Sequence, residues 1–176
     1  MFKRWFLLSR NKDSIYNDIV IRPFVLEDVD FVISGQLNLY EVEHGFTSEI
    51  WKSYLVNGVN DLLNQFDNEK DCIYILEYDG IPSGCAAITH LDEVSAKFRF
   101  FFVDSELRGF GAGHKLLEMA IDFCKEKEYK HIHLWTFSTL RAARHLYKSK
   151  GFKITQTHKN NEWGTPVLEE LWEIEL

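Results

Sequence analysis

One stretch of the chain, FFVDSELRGFGAGHKLL, sets three glycines at alternate positions, Gly109, Gly111 and Gly113, between an apolar run and an amphipathic one. Glycine strips side chains from such a turn and reaches backbone conformations closed to other residues, so the main chain can approach a ligand closely. A helix starting there would point its first amides, with their partial positive charge, into the same space. Together these features make an anion site suited to a diphosphate. Arg108 and Lys115 would add formal charge. Two familiar phosphate loops do not fit. The nucleoside-triphosphatase loop requires Gly-Lys followed by Ser or Thr, and here the order is Gly113-His114-Lys115-Leu116. The dinucleotide fingerprint, Gly-x-Gly-x-x-Gly, ends on His114 counted from Gly109, or on Leu116 counted from Gly111. A turn kept glycine-rich for tight packing is the competing reading; the alternate spacing behind Arg108 favours anion binding.

Other residue types capable of chemistry are scattered. Tyr147 falls on a stripe with Leu140, Ala143 and Leu146, which by itself reads as core. His131 and His133 share a strand face, and His145 and His158 lie beyond. No zinc-like spacing and no Cys or carboxylate neighbour in sequence accompanies them, so core or solvated histidines and no metal are expected. The closing acids Glu169, Glu170, Glu173 and Glu175 read as a solvated strand face that could draw a cationic ligand.

The elements that must position these groups follow from periodicity. Residues 19–24 read as a strand stopped by Pro23, and residues 28–40 as a helix with Val29, Val32, Ile33 and Leu37 on one side. Thr47 or Ser48 caps a second helix with a stripe through Trp51, Tyr54, Leu55, Val59, Leu62, Leu63 and Phe66. CIYILEY and CAAITHL make a hairpin around Asp79-Gly80, its second strand starting at or just after Pro82. SAKFRFFFV is a strand with Phe98, Phe100 and Phe102 on one face. Residues 112–127 form an amphipathic helix, HIHLWT a strand, and TLRAARHLYKSK a helix ended by Gly151. Two alternating strands close the chain around KNNEWGT. This order, β-α-α-β-β-β-α-β-α-β-β, implies a largely antiparallel sheet with at least one crossover pair and helices on both sides.

Composition bounds the rest. The 176 residues are 45% hydrophobic and 15% aromatic, enough for a packed core. Twenty basic against 27 acidic residues give −7, which argues against nucleic acid as a partner. Three cysteines without CxxC spacing point to a reducing compartment. The apolar run at residues 5–8 is too short for a secretory signal or a membrane span, so a cytoplasmic location is expected. Residues 1–17 read as an arm whose Trp5, Phe6 and Leu7 pack somewhere, and residues 18–176 as a single domain.

Arg108-x-x-Gly111-x-Gly113, with the strand ending at Val103 before it and Leu116-Leu117 after it, resembles the acyl-coenzyme A loop of the GNAT N-acetyltransferase superfamily. Downstream, Ala143, Leu146, Tyr147, Gly151 and Phe152 resemble that family's Ala-x-x-Leu-Tyr-x-x-x-Gly-Phe stretch, one strand and one helix away. Leu39-Tyr40 with Glu43 and Gly45, Trp135-Thr136, and Glu162-Trp163-Gly164 resemble the acetyltransferase half of proteins fused to a MarR-type domain. Residues 1–17 are too few for that domain, and no DNA-binding role is carried over.

The resemblance implies a mixed α/β fold of the GNAT type, with about seven strands and four helices. It also implies acetyl-coenzyme A as co-substrate and a primary amine as acceptor. The pantetheine arm would lie along the main chain of Phe101, Phe102 and Val103 like an added strand. The diphosphate would rest on Arg108, Gly109, Phe110, Gly111, Ala112, Gly113 and His114. Tyr147 would hydrogen-bond and protonate the leaving thiolate. A lysine-like amine near pKa 10.4 is neutral about once in 2,500 at pH 7, a barrier of about 4.6 kcal/mol that a carboxylate base would reduce. Lys97, Phe98, Arg99 and Phe100 stand where some relatives carry an acid on the strand. Glu41, Glu43 and His44, at the first helix end, are the candidates, with Glu43 foremost. Leu140 replaces an asparagine common in relatives, and Ser105 a proline. An inactive coenzyme A-binding sensor, and more remotely a generic nucleotide binder, are the alternatives; a homodimer is compatible with the resemblance.

Overall fold

The computed structural model describes Ile15, Tyr16 and residues 18–176. The reading of Trp5, Phe6 and Leu7 lies outside these residues. Seven strands form one sheet: β1 (Ile19–Pro23), β2 (Cys72–Tyr78), β3 (Ile81–His90), β4 (Ser95–Val103), β5 (His131–Phe137), β6 (Lys153–Asn160) and β7 (Val167–Glu175). Their order across the sheet is β1-β2-β3-β4-β5-β7-β6. Every pairing is antiparallel except β4 with β5, the one crossover pair. The helices among the described residues are α1 (Val29–His44), α2 (Glu49–Asn64), α3 (Ala112–Glu126) and α4 (Arg141–Ser149). The expected fold class and element order are those observed.

Two apolar layers sandwich the sheet. On one side Leu116, Leu117, Ala120 and Cys124 of α3, with Leu146 and Tyr147 of α4, pack on Ile88, Phe98, Ile132 and Leu134. On the other, Val32 of α1 and Val59 and Leu62 of α2 cover Ile73, Ile75, Ala87 and Phe102. A third, aromatic cluster of Phe46, Trp51, Trp163 and Val167 lies where the α1–α2 turn meets the β6–β7 loop. Ser48 caps α2, its Oγ accepting from Trp51 N at 3.1 Å while donating to the Glu162 carbonyl at 2.6 Å. Gly164, at φ 98°, passes so close that a Cβ would lie 3.0 Å from the Thr47 amide. Those contacts clamp the last hairpin to the first helix pair.

α1 runs to His44, four residues beyond the apolar period, and ends in Gly45 at φ 70°. Asp79 and Gly80 take φ 53° and 71°, the twist of a tight hairpin turn. β3 begins at Ile81 and carries Pro82 past a bulge at Leu76/Glu77.

Strand β4 departs from strict alternation. Phe100 adopts φ 52°, and the pairing with β3 slips between Cys85/Phe102 and Ala87/Arg99. This bulge inserts one residue, so faces exchange across it. Phe98 and Phe101 face α3 and α4, whereas Phe100 and Phe102 face α1 and α2. The expected common face for Phe98, Phe100 and Phe102 is therefore corrected.

Candidate active site

Pairing between β4 and β5 covers only Ser95, Ala96 and Lys97 against His131, Ile132 and His133. Beyond it the strands splay, leaving β4 residues 98–103 without a strand partner on that side. A cleft of ≈ 1010 Å³ opens there, reaching from the glycine turn past Tyr147 to α1, α2 and the last hairpin.

The glycine turn closes one end. Gly109 and Gly111 both adopt φ 87°, conformations that other residues rarely take. The main-chain bond from Lys115 N to Gly111 O, at 3.0 Å, is the first of α3, and no side chain caps the helix. The amides of Ala112, Gly113 and His114 are thus the unpaired first turn. The two nearby cations are engaged elsewhere. Lys115 Nζ donates to the Ile19 carbonyl at 2.7 Å and sits 5.0 Å from the Tyr16 ring, which corrects the reading of Lys115 as charge for the anion. Arg108 Nη1 donates to Glu43 Oε2 at 2.7 Å and its Nε to the Val103 carbonyl at 3.2 Å. Charge for a diphosphate would come chiefly from bare amides.

Tyr147 is 4% exposed and lines the cleft, its ring among Phe98, Phe101, Phe152 and Trp172. The stripe is core, as its period implies, and the residue also lines the cleft. Burial pushes its hydroxyl well above the ordinary 10.0, with Tyr40 adding to the effect. Of the other residues named for the co-substrate, Phe101 packs toward Tyr147, Phe102 lies 5.4 Å from the Phe31 ring, and Val103 pairs with Gly84. Phe110 is half-buried between the two left-handed glycines.

The opposite end gathers aromatic residues of the second helix's stripe with others from β5 and the last hairpin. Tyr54 and Trp135, 52% and 37% exposed, join Trp51 and Trp163 along the wall. Glu169 also lines it and is 9% exposed, accepting from Asn160 Nδ2 at 2.9 Å and from Trp163 Nε1, with His158 Nε2 2.9 Å from its other oxygen. Glu170, 3% exposed, accepts from Arg144 Nε at 2.8 Å and Trp172 Nε1 at 2.9 Å. These two acids are buried, which corrects the solvated face. Alternation cannot show it because the partners come from β6, the β6–β7 loop and α4 as well as from β7 itself. Glu43 and Glu169 are the acids lining the cleft; Glu41 and Leu140 stand at the end of α1 and the start of α4, Leu140 on the cleft wall. Burial lowers the pKa of His44, another wall residue.

Glu173, brought alongside by β7, sits 3.2 Å from His131 Nε2, and these two with His133 form a group compact enough to face one ion. The carboxylate partner absent from the neighbouring sequence thus arrives through the sheet. Burial lowers the pKa of His133, with Lys97 and His131 adding to it.

The split sheet thus forms a cleft with a turn of free amides at one end and a buried tyrosine on its wall. The sequence profile of the Acetyltransferase (GNAT) family matches residues 37–152, and the chain belongs to that family. It is 26% identical over 140 residues to the uncharacterized N-acetyltransferase YjgM of Escherichia coli, covering 76% of this chain and 81% of that protein. It is 29% identical over 91 residues to an uncharacterized N-acetyltransferase of Methanocaldococcus jannaschii, covering 48% of this chain but only 40% of the relative's own length. Among solved structures, a GNAT-family acetyltransferase from Staphylococcus aureus Mu50 superposes with TM-score 0.73 at 20% identity, covering 90% and 99% of the two chains. The structure of yncA from Salmonella typhimurium, solved with acetyl-CoA, superposes with TM-score 0.71 at 17% identity, covering 91% and 95%. The described residues contain no helix long and apolar enough to cross a membrane.

Proposed function

We propose that the chain is an N-acetyltransferase of the cytoplasm that moves an acetyl group from acetyl-CoA directly to a primary amine, with both substrates bound together. The observation that carries this is the continuity of the cleft from the unpaired amides of Ala112, Gly113 and His114 to Tyr147, along the unpaired edge of β4. The likeness to the acetyltransferase half of MarR-type fusion proteins belongs to the same proposal. It rests on Leu39-Tyr40, Glu43, Gly45, Trp135-Thr136 and Glu162-Trp163-Gly164.

In this reading the main chain of Phe101, Phe102 and Val103 aligns the pantetheine arm, and the turn at residues 109–114 holds the diphosphate. Arg108 shapes the turn by tying it to Glu43 on α1. The amine nitrogen attacks the thioester carbonyl carbon, a C–N bond forms, and the C–S bond breaks. Tyr147 donates a hydrogen bond to the departing thiolate. Its raised pKa makes full proton transfer more uphill, so stabilisation by the bond precedes protonation. The proton shed by the ammonium goes to a carboxylate of the cleft, directly or through water. Glu43 is the proposed base, with Glu169 the second carboxylate within the cleft.

A coenzyme A-binding sensor is the second reading, favoured by the side-chain donors already bonded to both carboxylates, the Arg108 guanidinium to Glu43 and the Trp163 indole to Glu169. Free-thiol release from acetyl-CoA across a panel of amines separates them. Turnover dependent on amine supports transfer; tight binding of acetyl-CoA with no thiol release against any amine supports the sensor.

A further inference from the structure

Lys97 and Arg99 alternate on β4, just before the Phe100 bulge, and both face the α1–α2 side of the sheet and line the cleft. Each is half-buried, and neither has a carboxylate within ion-pair distance among the described residues. The Arg99 guanidinium stacks on the Phe100 ring at 4.6 Å and lies against Gly58 of α2, where a Cβ would come within 3.0 Å of its Nη2. Glycine at position 58 makes room for that cation. Asp61, one turn further on α2, is the nearest source of opposing charge, and Tyr54 lies on the same helix face. Burial lowers both pKa values, and for Lys97 the Arg99 charge adds to the lowering. Two like charges held together out of water destabilise a fold unless something neutralises them. The acids lining the same cleft are committed, Glu43 to Arg108 and Glu169 to Trp163, Asn160 and His158, which leaves Asp61 to act on Arg99 and no acid among the described residues to act on Lys97.

We infer that Lys97 and Arg99 form the acceptor's recognition site, and that the acceptor is a small amine carrying a carboxylate or phosphate. This rests on the transferase reading above and names its substrate class. The cations stand at the root of the β4–β5 split, on the face opposite Tyr147, so the amine reaches through the split while the anionic end stays behind. A guanidinium grips a carboxylate or phosphate through two parallel hydrogen bonds, and the ammonium adds a point charge. The aromatic wall of Tyr54, Trp135 and Trp163 covers the body of the substrate.

The test pairs amines that differ only in the anion: amino acids and dipeptides against their amides, and phosphoethanolamine against ethanolamine, read by thiol release from acetyl-CoA. The anionic member of at least one pair is preferred tenfold or more in kcat/KM, and the favoured pair tells carboxylate from phosphate. Lys97→Met and Arg99→Gln each remove most of that preference, the loss lying in KM, while acetyl-CoA binds as before. Lys97→Met also melts at or above the wild-type temperature, because it relieves an uncompensated charge. Preference for amides and ethanolamine, or a preference indifferent to both substitutions, overturns the inference while leaving transfer intact. Tryptophan fluorescence titrated with N-acetylated amino acids covers the other case. Binding that depends on Lys97 and Arg99 without turnover upholds the pair as an anion-recognition site and defeats transfer; absence of binding and of turnover overturns the inference.

Discussion

Tyr147 combines two demands that pull its acidity one way. Its ring is needed in the core among Phe98, Phe101, Phe152 and Trp172, and the burial that packs it also holds its proton. A hydroxyl held well above 10.0 keeps its proton across neutral pH and so remains a donor there. Tyr147→Phe keeps the ring and removes the donor; kcat is expected to fall about 100-fold with acetyl-CoA affinity changed less than threefold. Equal kcat would remove Tyr147 from the chemistry. The pH profile follows from the same shift: kcat/KM rises as the acceptor amine loses its proton and shows no falling limb below about pH 10. A falling limb near pH 8 would mean that another acid donates. The carboxylates divide differently: of Glu43→Gln and Glu169→Gln, the variant whose kcat falls about 100-fold while acetyl-CoA affinity holds identifies the base, and an equal, small effect of both would remove the carboxylates from the proton transfer.

At the scale of elements, the bulge in β4 and the turn before α3 do most to build the site. Gly111 is left-handed, and a Cβ there would also lie 2.9 Å from the Tyr16 ring. Gly111→Ala is expected to cost about 1–2 kcal/mol of stability from the backbone alone and to weaken acetyl-CoA binding, as calorimetry would read. Binding and melting unchanged would show that the turn tolerates a side chain and that its bareness is incidental. Away from the cleft, Arg22 joins β1 to the start of α1 through Asp28, at 2.7 and 2.8 Å. The hydrogen bond from Arg22 is the main cause holding Asp28 below its ordinary value. That contribution is full above the unfolded-state pKa of about 3.9 and is lost as pH falls through the lower folded value. Asp28→Asn should therefore destabilise the fold at pH 7 by about 3 kcal/mol, read as a lower melting temperature, and flatten the loss of stability in acid. Periodicity made the elements legible, because the stripes of Trp51, Leu55, Val59 and Leu62 and of Leu116, Leu117, Ala120 and Cys124 are the buried faces. The glycine turn and Tyr147 were legible as motifs. The bulge was not, since only pairing with β3 imposes φ 52° on Phe100, a residue with no preference for it. Nor were the burial of Glu169 or the Arg108–Glu43 pair, both made by partners remote in sequence or on another element.

Over the whole molecule, net charge and local charge diverge. The chain is at −7, yet the cleft wall on β4 is cationic and its glycine-turn end presents neutral amides. A site of that kind is formed fully only in the folded state, so its ligand should stabilise the fold. Acetyl-CoA at 100 times its Kd adds about 2.7 kcal/mol, a rise in Tm of roughly 5–10 °C for a chain of this size. ATP and NAD, lacking the pantetheine arm proposed to pair with β4, should give much less. A larger shift with either nucleotide would return the protein to the class of generic nucleotide binders.

The most direct measurement is a crystal structure of the protein with acetyl-CoA bound. The diphosphate oxygens should lie within about 3 Å of the amides of Ala112, Gly113 and His114, with the pantetheine bonded to the edge of β4. The thioester sulfur should sit beside the Tyr147 hydroxyl. A diphosphate held elsewhere, or a turn filled by Arg108 or His114 with the thioester far from position 147, would contradict the account.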